Sequence, residues 1–165
     1  MGDGRDYKCS KCGKEYHTFW GIGYLYPVVK HDEEQKIKKG KYGQEWKELF
    51  QSNELIKVDV ENHVYLCGKC GYWTVEPGLS LYVPKDGDET ITDQKEDEAD
   101  EGSWGNDRSA PFDLEGYHLL KERVHKCTNC RETMHVATKE EIPHLRCPEC
   151  GGKPENGASR MILWD

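Results

Sequence analysis

The chain has 165 residues, mean hydropathy −0.92, 33% charged residues and a formal net charge of −8. That length allows one domain or two small ones. A sequence pI near 5.4 argues against a uniformly basic nucleic-acid-binding surface, and no run of about 18 apolar residues is present to span a membrane. The charge is unevenly placed. Residues 1–84 hold 12 basic and 12 acidic side chains, residues 85–116 hold 3 and 12, and residues 117–165 hold 8 and 7, so the acidity lies in the middle segment.

All eight cysteines fall in Cys-x-x-Cys pairs: Cys9/Cys12, Cys67/Cys70, Cys127/Cys130 and Cys147/Cys150. The two-residue step lets the backbone turn both sulfurs onto one ion, and two such pairs make a tetrahedral four-thiolate site. Eight sulfurs therefore count out to two sites, and two Zn2+ ions are the expected cofactors. Iron in the same tetrahedron is the alternative. Gly13, Gly71 and Gly151 follow the second cysteine of their pairs, where a residue free to take positive φ is useful; the third pair departs, with Arg131. Pairing in sequence order is the simplest choice, with a crossed or shared arrangement as the alternative. It puts Cys9, Cys12, Cys67 and Cys70 on one ion across 54 intervening residues, and Cys127, Cys130, Cys147 and Cys150 on the other across 16.

Competing uses of the cysteines are disfavoured. The start, Met1 to Asp6, has no apolar h-region to direct the chain to an oxidising compartment, and Asp6 stands where a myristoylation pattern wants Ser or Thr. A soluble, intracellular, cytoplasmic protein is expected. A redox pair would want one reactive motif, not four that balance. The histidines (His17, His31, His63, His118, His125, His135 and His144) are scattered; His125 and His135 flank the third pair as candidates to support its ligands, although strand packing is the simpler reading.

In chain order, Tyr16 to Pro27 reads as an aromatic β segment ended by proline. Asp32 can cap a short helix over Glu33–Lys39. Tyr42, Trp46, Leu49 and Phe50 then recur at helical spacing and form one buried stripe. Ile56, Val58 and Val60 alternate with polar residues, turn at Glu61-Asn62 and return through His63–Leu66 as a hairpin into Cys67. Tyr72–Val75 and Leu79–Val83 continue the β pattern. Residues 23–27 and 80–84 look alike, which is either a weak duplication or shared β composition. Residues 85–116 lack the aliphatics to fold and read as an acidic flexible linker, with Trp104 and Phe112 available to dock. Beyond it, Tyr117–Lys126, Met134–Ala137, Pro143–Arg146 and Arg160–Trp164 form the last β-rich stretch, with Trp164 available to close its core.

The expected fold is a small β-rich, zinc-stabilised protein with minor helix, in two modules. These are an N-terminal module over 1–84 with a helical insertion at about 31–52, the linker 85–116, and a C-terminal module over 117–165. The pairs Cys-Ser-Lys-Cys-Gly, Cys-Gly-Lys-Cys-Gly and Cys-Pro-Glu-Cys-Gly-Gly on β-hairpins resemble the zinc-ribbon superfamily, which shares its knuckle with rubredoxin-like proteins. That resemblance implies zinc held by four cysteines and binding roles in transcription, ribosomal, tRNA-modification and ubiquitin-related settings.

Function is less determined. There is no His-Glu-x-x-His and no phosphate loop, Gly21-x-Gly23 lacks the third glycine of a dinucleotide fingerprint, and Asp86-x-Asp88 fails the calcium-loop pattern. A non-enzymatic protein-interaction or adaptor role is the leading expectation, with two tethered ribbons and an acidic segment suited to a basic partner surface. Nucleic-acid binding is the alternative. It rests on Lys8, Lys11 and Lys14, on Lys36, Lys38, Lys39 and Lys41, and on Trp20, Tyr24, Tyr26, Tyr72 and Trp73 as stacking platforms. A rubredoxin-like iron electron carrier comes third.

Overall fold

The computed structural model describes residues 2–21, 26–85, 116–155 and 160–164. Nine strands and two helices are present among them: β1 (Gly2–Lys8), β2 (Glu15–Trp20), α1 (Tyr26–Lys38), α2 (Gln44–Ser52), β3 (Lys57–Val58), β4 (Asn62–Leu66), β5 (Trp73–Pro77), β6 (Leu81–Pro84), β7 (Tyr117–Lys121), β8 (His135–Val136) and β9 (Arg160–Trp164). They form three antiparallel three-stranded sheets, ordered β2-β1-β9, β3-β6-β7 and β5-β4-β8. Every sheet takes two strands from residues 2–85 and one from residues 116–164. The acidic segment lies outside the described residues, but its flanks do not: Pro84 pairs with Tyr117 and the Lys85 amide bonds the Gly116 carbonyl at 2.8 Å. The chain leaves and rejoins the β6–β7 ladder at one place.

Three elements depart from the sequence reading. The segment ending at Pro27 is not all strand: β2 stops at Trp20, and Tyr26-Pro27 opens α1, six residues before the expected cap at Asp32. Proline at a helix start loses nothing, because its missing amide would have no intrahelical partner and its φ is already helical. The resemblance between 23–27 and 80–84 therefore does not extend to structure at Tyr26-Pro27, which is helical where Val83-Pro84 is strand. The expected 56–66 hairpin also fails to close on itself. β3 pairs with β6, and β4 with β5 and β8. Asp59 explains the corner: its Oδ1 accepts the Glu61 amide at 3.0 Å, a side-chain turn that sends β4 into another sheet.

α2 forms over Trp46, Leu49 and Phe50 as the periodicity places it, but it starts at Gln44, so Tyr42 precedes the helix. Trp46 is buried, its Nε1 donating to the Leu79 carbonyl at 2.9 Å, and Tyr42, Leu49 and Phe50 pack beside it. Their core is Ile37, Trp46, Ile56, Val58, Val60, Leu79 and Leu81. The stretch after β7 is fastened to it by the Arg123 guanidinium, 5.3 Å from the Trp46 ring and 5.6 Å from that of Tyr42. Beneath α1, Glu33 is buried but accepts from the Tyr42 hydroxyl and, at 2.6 Å, from Lys36.

The same corner carries a titratable pair. His63 Nε2 lies 2.8 Å from Asp59 Oδ2, and that hydrogen bond raises the ring's pKa above its ordinary 6.5 against the cost of desolvation. A raised folded-state pKa stabilises fully below the unfolded value and loses that stabilisation as pH rises through the folded one. The stability gap between wild type and His63→Gln is thus expected to be larger at pH 6 than at pH 8 (about two units spanning the ordinary histidine pKa) in denaturant titrations of metal-loaded protein. A gap that is flat or grows with pH contradicts the assignment.

Candidate metal centres

Each Cys-x-x-Cys pair sits in the same backbone knuckle. The first cysteine's amide bonds the carbonyl five residues on, at 2.8 Å for Cys9, Cys67, Cys127 and Cys147 alike. The residue four positions on then returns its amide to that cysteine's carbonyl at 2.9 Å (Gly13, Gly71, Arg131, Gly151). Closing this turn requires positive φ, observed at 70°, 73°, 64° and 67° respectively. Arg131 therefore departs in residue type only, and holds a left-handed conformation that costs a side-chain-bearing residue about 1–2 kcal/mol. Arg131→Gly is expected to stabilise the protein by about 1 kcal/mol once glycine's greater unfolded-state entropy is subtracted. A lower thermal midpoint for that variant contradicts the reading.

The knuckles meet in a nested order. Cys9, Cys12, Cys147 and Cys150 form one cluster, and Cys67, Cys70, Cys127 and Cys130 the other, with the sulfurs of each within 4.8 Å of one another. This corrects the sequence-order pairing: the first knuckle joins the fourth, and the second joins the third. Across the outer cluster, Cys9 and Cys150 Sγ are 3.5 Å apart and Cys12 and Cys147 3.8 Å; across the inner one, Cys67–Cys130 and Cys70–Cys127 are 3.5 Å and Cys70–Cys130 3.7 Å. Disulfide sulfurs stand about 2.05 Å apart, and all eight cysteines are free. A tetrahedron with metal–sulfur bonds of about 2.3 Å has edges of about 3.8 Å, so both quartets fit a metal ion.

The outer cluster is assembled by three aromatic donors that reach the chain entering the fourth knuckle. Tyr7 donates its hydroxyl to the Ile142 carbonyl at 3.0 Å, Tyr16 to Leu145 at 2.9 Å, and Trp73 Nε1 to Arg146 at 2.7 Å. Tyr7 and Tyr16 stack with centroids 5.1 Å apart. Burial pushes the Tyr16 hydroxyl up to about 12, so it stays a donor across the working pH range. Backbone bonds finish the junction, with Ser10 N to Lys153 O at 3.0 Å and Glu155 N to Lys8 O at 2.8 Å. The inner cluster is set by β4–β8 pairing, Tyr65 opposite Val136 and Leu66 opposite His135, and by His125 stacked 3.7 Å from Tyr65. Closing long loops is cheap, since each doubling adds only about 0.6 kcal/mol, so these contacts outweigh the proximity that favours sequence-order pairing.

Hydrogen bonding divides the sulfurs. The Cys12 amide, despite desolvation and helped by the Lys11 amide and the neighbouring thiols, brings Cys9 down to about 6. The Cys70 and Lys69 amides and neighbouring thiols do the same for Cys67, again against desolvation. Cys150 is pushed up to about 12: the Gly152 amide favours its thiolate, but contacts with Cys9 and Cys12, desolvation and Cys147 outweigh it. Cys70 also rises to about 12, the Tyr72 amide being outweighed by desolvation and the thiols of Cys127, Cys67 and Cys130. A metal that takes all four sulfurs must displace the remaining protons, so affinity rises with pH.

The histidines stand outside both quartets. His125 is buried, with Nδ1 3.1 Å from Glu76 and Nε2 3.1 Å from the Gly78 carbonyl; His135 is exposed and bonds Glu141. Of the proposed stacking aromatics, Trp73 is buried and Trp20 and Tyr72 pack on cores, while the side chains of Tyr24, Tyr26 and Trp164, together with Trp104 and Phe112, lie outside the described residues. The aromatic donors at Tyr7, Tyr16 and Trp73 were not evident from spacing. No helix among the described residues is long and apolar enough to cross a membrane.

No protein-family model, curated protein or solved structure matches the chain. The two clusters fit a zinc-ribbon-like motif and give the protein two four-cysteine sites able to hold metal ions.

Proposed function

We propose that this chain is a non-catalytic binding module, held in shape by two structural zinc ions, that works by protein contact as an adaptor in a reducing intracellular compartment. Four cysteines fill a tetrahedral ion's coordination sphere, which supports a structural rather than a catalytic metal. Zinc is favoured because it takes four thiolates tetrahedrally without redox chemistry; a colourless protein with two equivalents of zinc is the expected isolate, and a coloured iron protein would contradict it.

The observation that carries the contact reading is β7. Among the described residues it is an edge strand, paired with β6 alone, and Leu119 and Leu120 are 49% and 39% exposed on it, with Val124 49% exposed just beyond. The β6–β7 register slips between Leu81 and Tyr82, leaving Leu120 opposite no partner. Bulges and charge ordinarily guard such an edge, and β7 has both at Leu120 and Lys121, yet its adjacent exposed leucines offer apolar side chains to a strand added from another protein. Because each sheet and each cysteine cluster uses both ends of the chain, this surface is presented by one interlocked body, and the proposal does not need two ribbons on a tether. Affinity capture with metal-loaded protein should retain a nuclease-resistant protein partner that a Leu119→Lys, Leu120→Lys variant of unchanged metal content loses. Equal capture by that variant, or recovery of nucleic acid alone, contradicts the proposal.

A further inference from the structure

A second surface lies at the outer metal centre, away from β7. Between the short 3-10 turn at Ile142–His144 and the strand-like exit of the fourth knuckle is an open groove of about 430 Å³, lined by Pro143, His144, Arg146, Lys153 and Pro154. Among the described residues lining it, His144, Arg146 and Lys153 are nitrogen donors and none is a carboxylate. Acids close to these residues in sequence are engaged, Glu141 by His135, Glu149 by Lys14 and Glu155 by Lys8. Arg146 and Lys153 have no ion pair among the described residues, and Arg146 is aimed by a long hydrogen bond from Nη1 to the Gly151 carbonyl at 3.5 Å. The first knuckle is fixed to this wall by the Ser10 amide and hydroxyl, both 3.0 Å from the Lys153 carbonyl. In a chain of net charge −8 this is a local concentration of unpaired positive charge on a rigid base.

We propose that this groove is a phosphate-binding site, with Arg146 and Lys153 as the principal ligands and His144 as an additional donor. The guanidinium fork suits the paired oxygens of a phosphate, and lysine supplies charge without a fixed direction. A protein interface would want large apolar anchors at its centre. None of the exposed large hydrophobic side chains (Phe19, Val28, Leu55, Leu119, Leu120, Val124, Val136) lines the groove, whereas a phosphate needs only the charges found there. Lysines beside a metal–thiolate cluster also offset its negative charge, as Lys14 does toward Cys12 and Cys147. Arg146 and Lys153 line the groove itself, which separates their role from that one.

The test is binding of inorganic phosphate, a nucleoside monophosphate and a short single-stranded oligonucleotide to the metal-loaded full chain, followed by calorimetry or anisotropy at several salt concentrations. Saturable binding of the small phosphates supports a free-phosphate site. Binding of the oligonucleotide alone, with affinity falling steeply with salt, supports a polynucleotide backbone as the phosphate source. In either case Arg146→Gln and Lys153→Gln, each retaining two metals, should weaken binding about tenfold, while Lys39→Gln, remote on the exit of α1, should not. Absence of binding by all three probes, or affinities unchanged in both groove variants, overturns the proposal.

Discussion

Stripping both metals with a strong chelator at neutral pH is expected to unfold the protein cooperatively. Two of its three apolar cores contain the ligands themselves. Cys9 and Cys147 are buried with Tyr7, Tyr16, Val64, Trp73, Ala137, Ile142 and Leu145, and Cys67 and Cys127 with Tyr65 and Met134. Without an ion, each quartet is a set of mutually repelling or protonated sulfurs inside its own core. A structural zinc site contributes about 10–16 kcal/mol of apparent binding free energy, against a total stability of about 5–15 kcal/mol for an ordinary domain. The nested order couples the losses. With zinc bound, the outer ion would fasten β1 and β2 to the fourth knuckle and the inner ion β4 to β8, and because β4 packs against β2, neither sheet would keep its partner when its ion leaves. Near-ultraviolet dichroism from the Tyr7–Tyr16 stack and Trp73, and the thermal transition itself, should disappear together. A native spectrum in protein shown by elemental analysis to be metal-free would contradict this.

Gly152→Ala should weaken the outer centre and spare the inner one. A methyl carbon at Gly152 would stand 2.7 Å from Cys9 Sγ, 2.8 Å from Lys11 Cβ and 3.3 Å from Cys150 Sγ. Contacts that close are not made by real side chains, and the sulfurs cannot retreat without leaving the roughly 0.2 Å tolerance of a metal–ligand bond. Overpacking of this kind costs about 1–3 kcal/mol even where neighbours can shift, equivalent to roughly 5- to 150-fold in affinity. In competition with a chromogenic chelator, one of the two metals should be released at concentrations wild type resists. Gly68→Ala is the matched control: a methyl there meets nothing within 4 Å and the backbone needs no positive φ, so both ions should be held as in wild type. Equal retention in the two variants would place Gly152 outside the centre.

That the eight cysteines form two clusters able to hold metal was legible because a Cys-x-x-Cys pair states its chemistry locally. Their partners were not. The choice between knuckles is made by a tyrosine hydroxyl on β1, another on β2 and an indole on β5 that reach carbonyls at 142, 145 and 146, and no spacing rule announces such a meeting. α2 was legible for the same local reason, since Trp46, Leu49 and Phe50 declare a face, whereas Tyr42 shares the spacing but stands two residues before the helix. The start of α1 was not, because Tyr26-Pro27 suits a strand end and a first helical turn equally. At 56–60 the alternation marked a strand correctly at Lys57–Val58 but could not name its partner, which the Asp59 turn decides. Arg131 was visible as an exception; that it adopts the glycine conformation regardless follows from the hydrogen bonds that close the knuckle.

The nested pairing is tested most directly on wild-type protein loaded with cadmium-113, by a proton–cadmium correlation spectrum with the cysteine β protons assigned. Two cadmium resonances are expected, one correlated with Cys9, Cys12, Cys147 and Cys150, the other with Cys67, Cys70, Cys127 and Cys130. Correlation of Cys9 and Cys12 with the same cadmium as Cys67 and Cys70 would contradict the pairing and, with it, the interlocked fold.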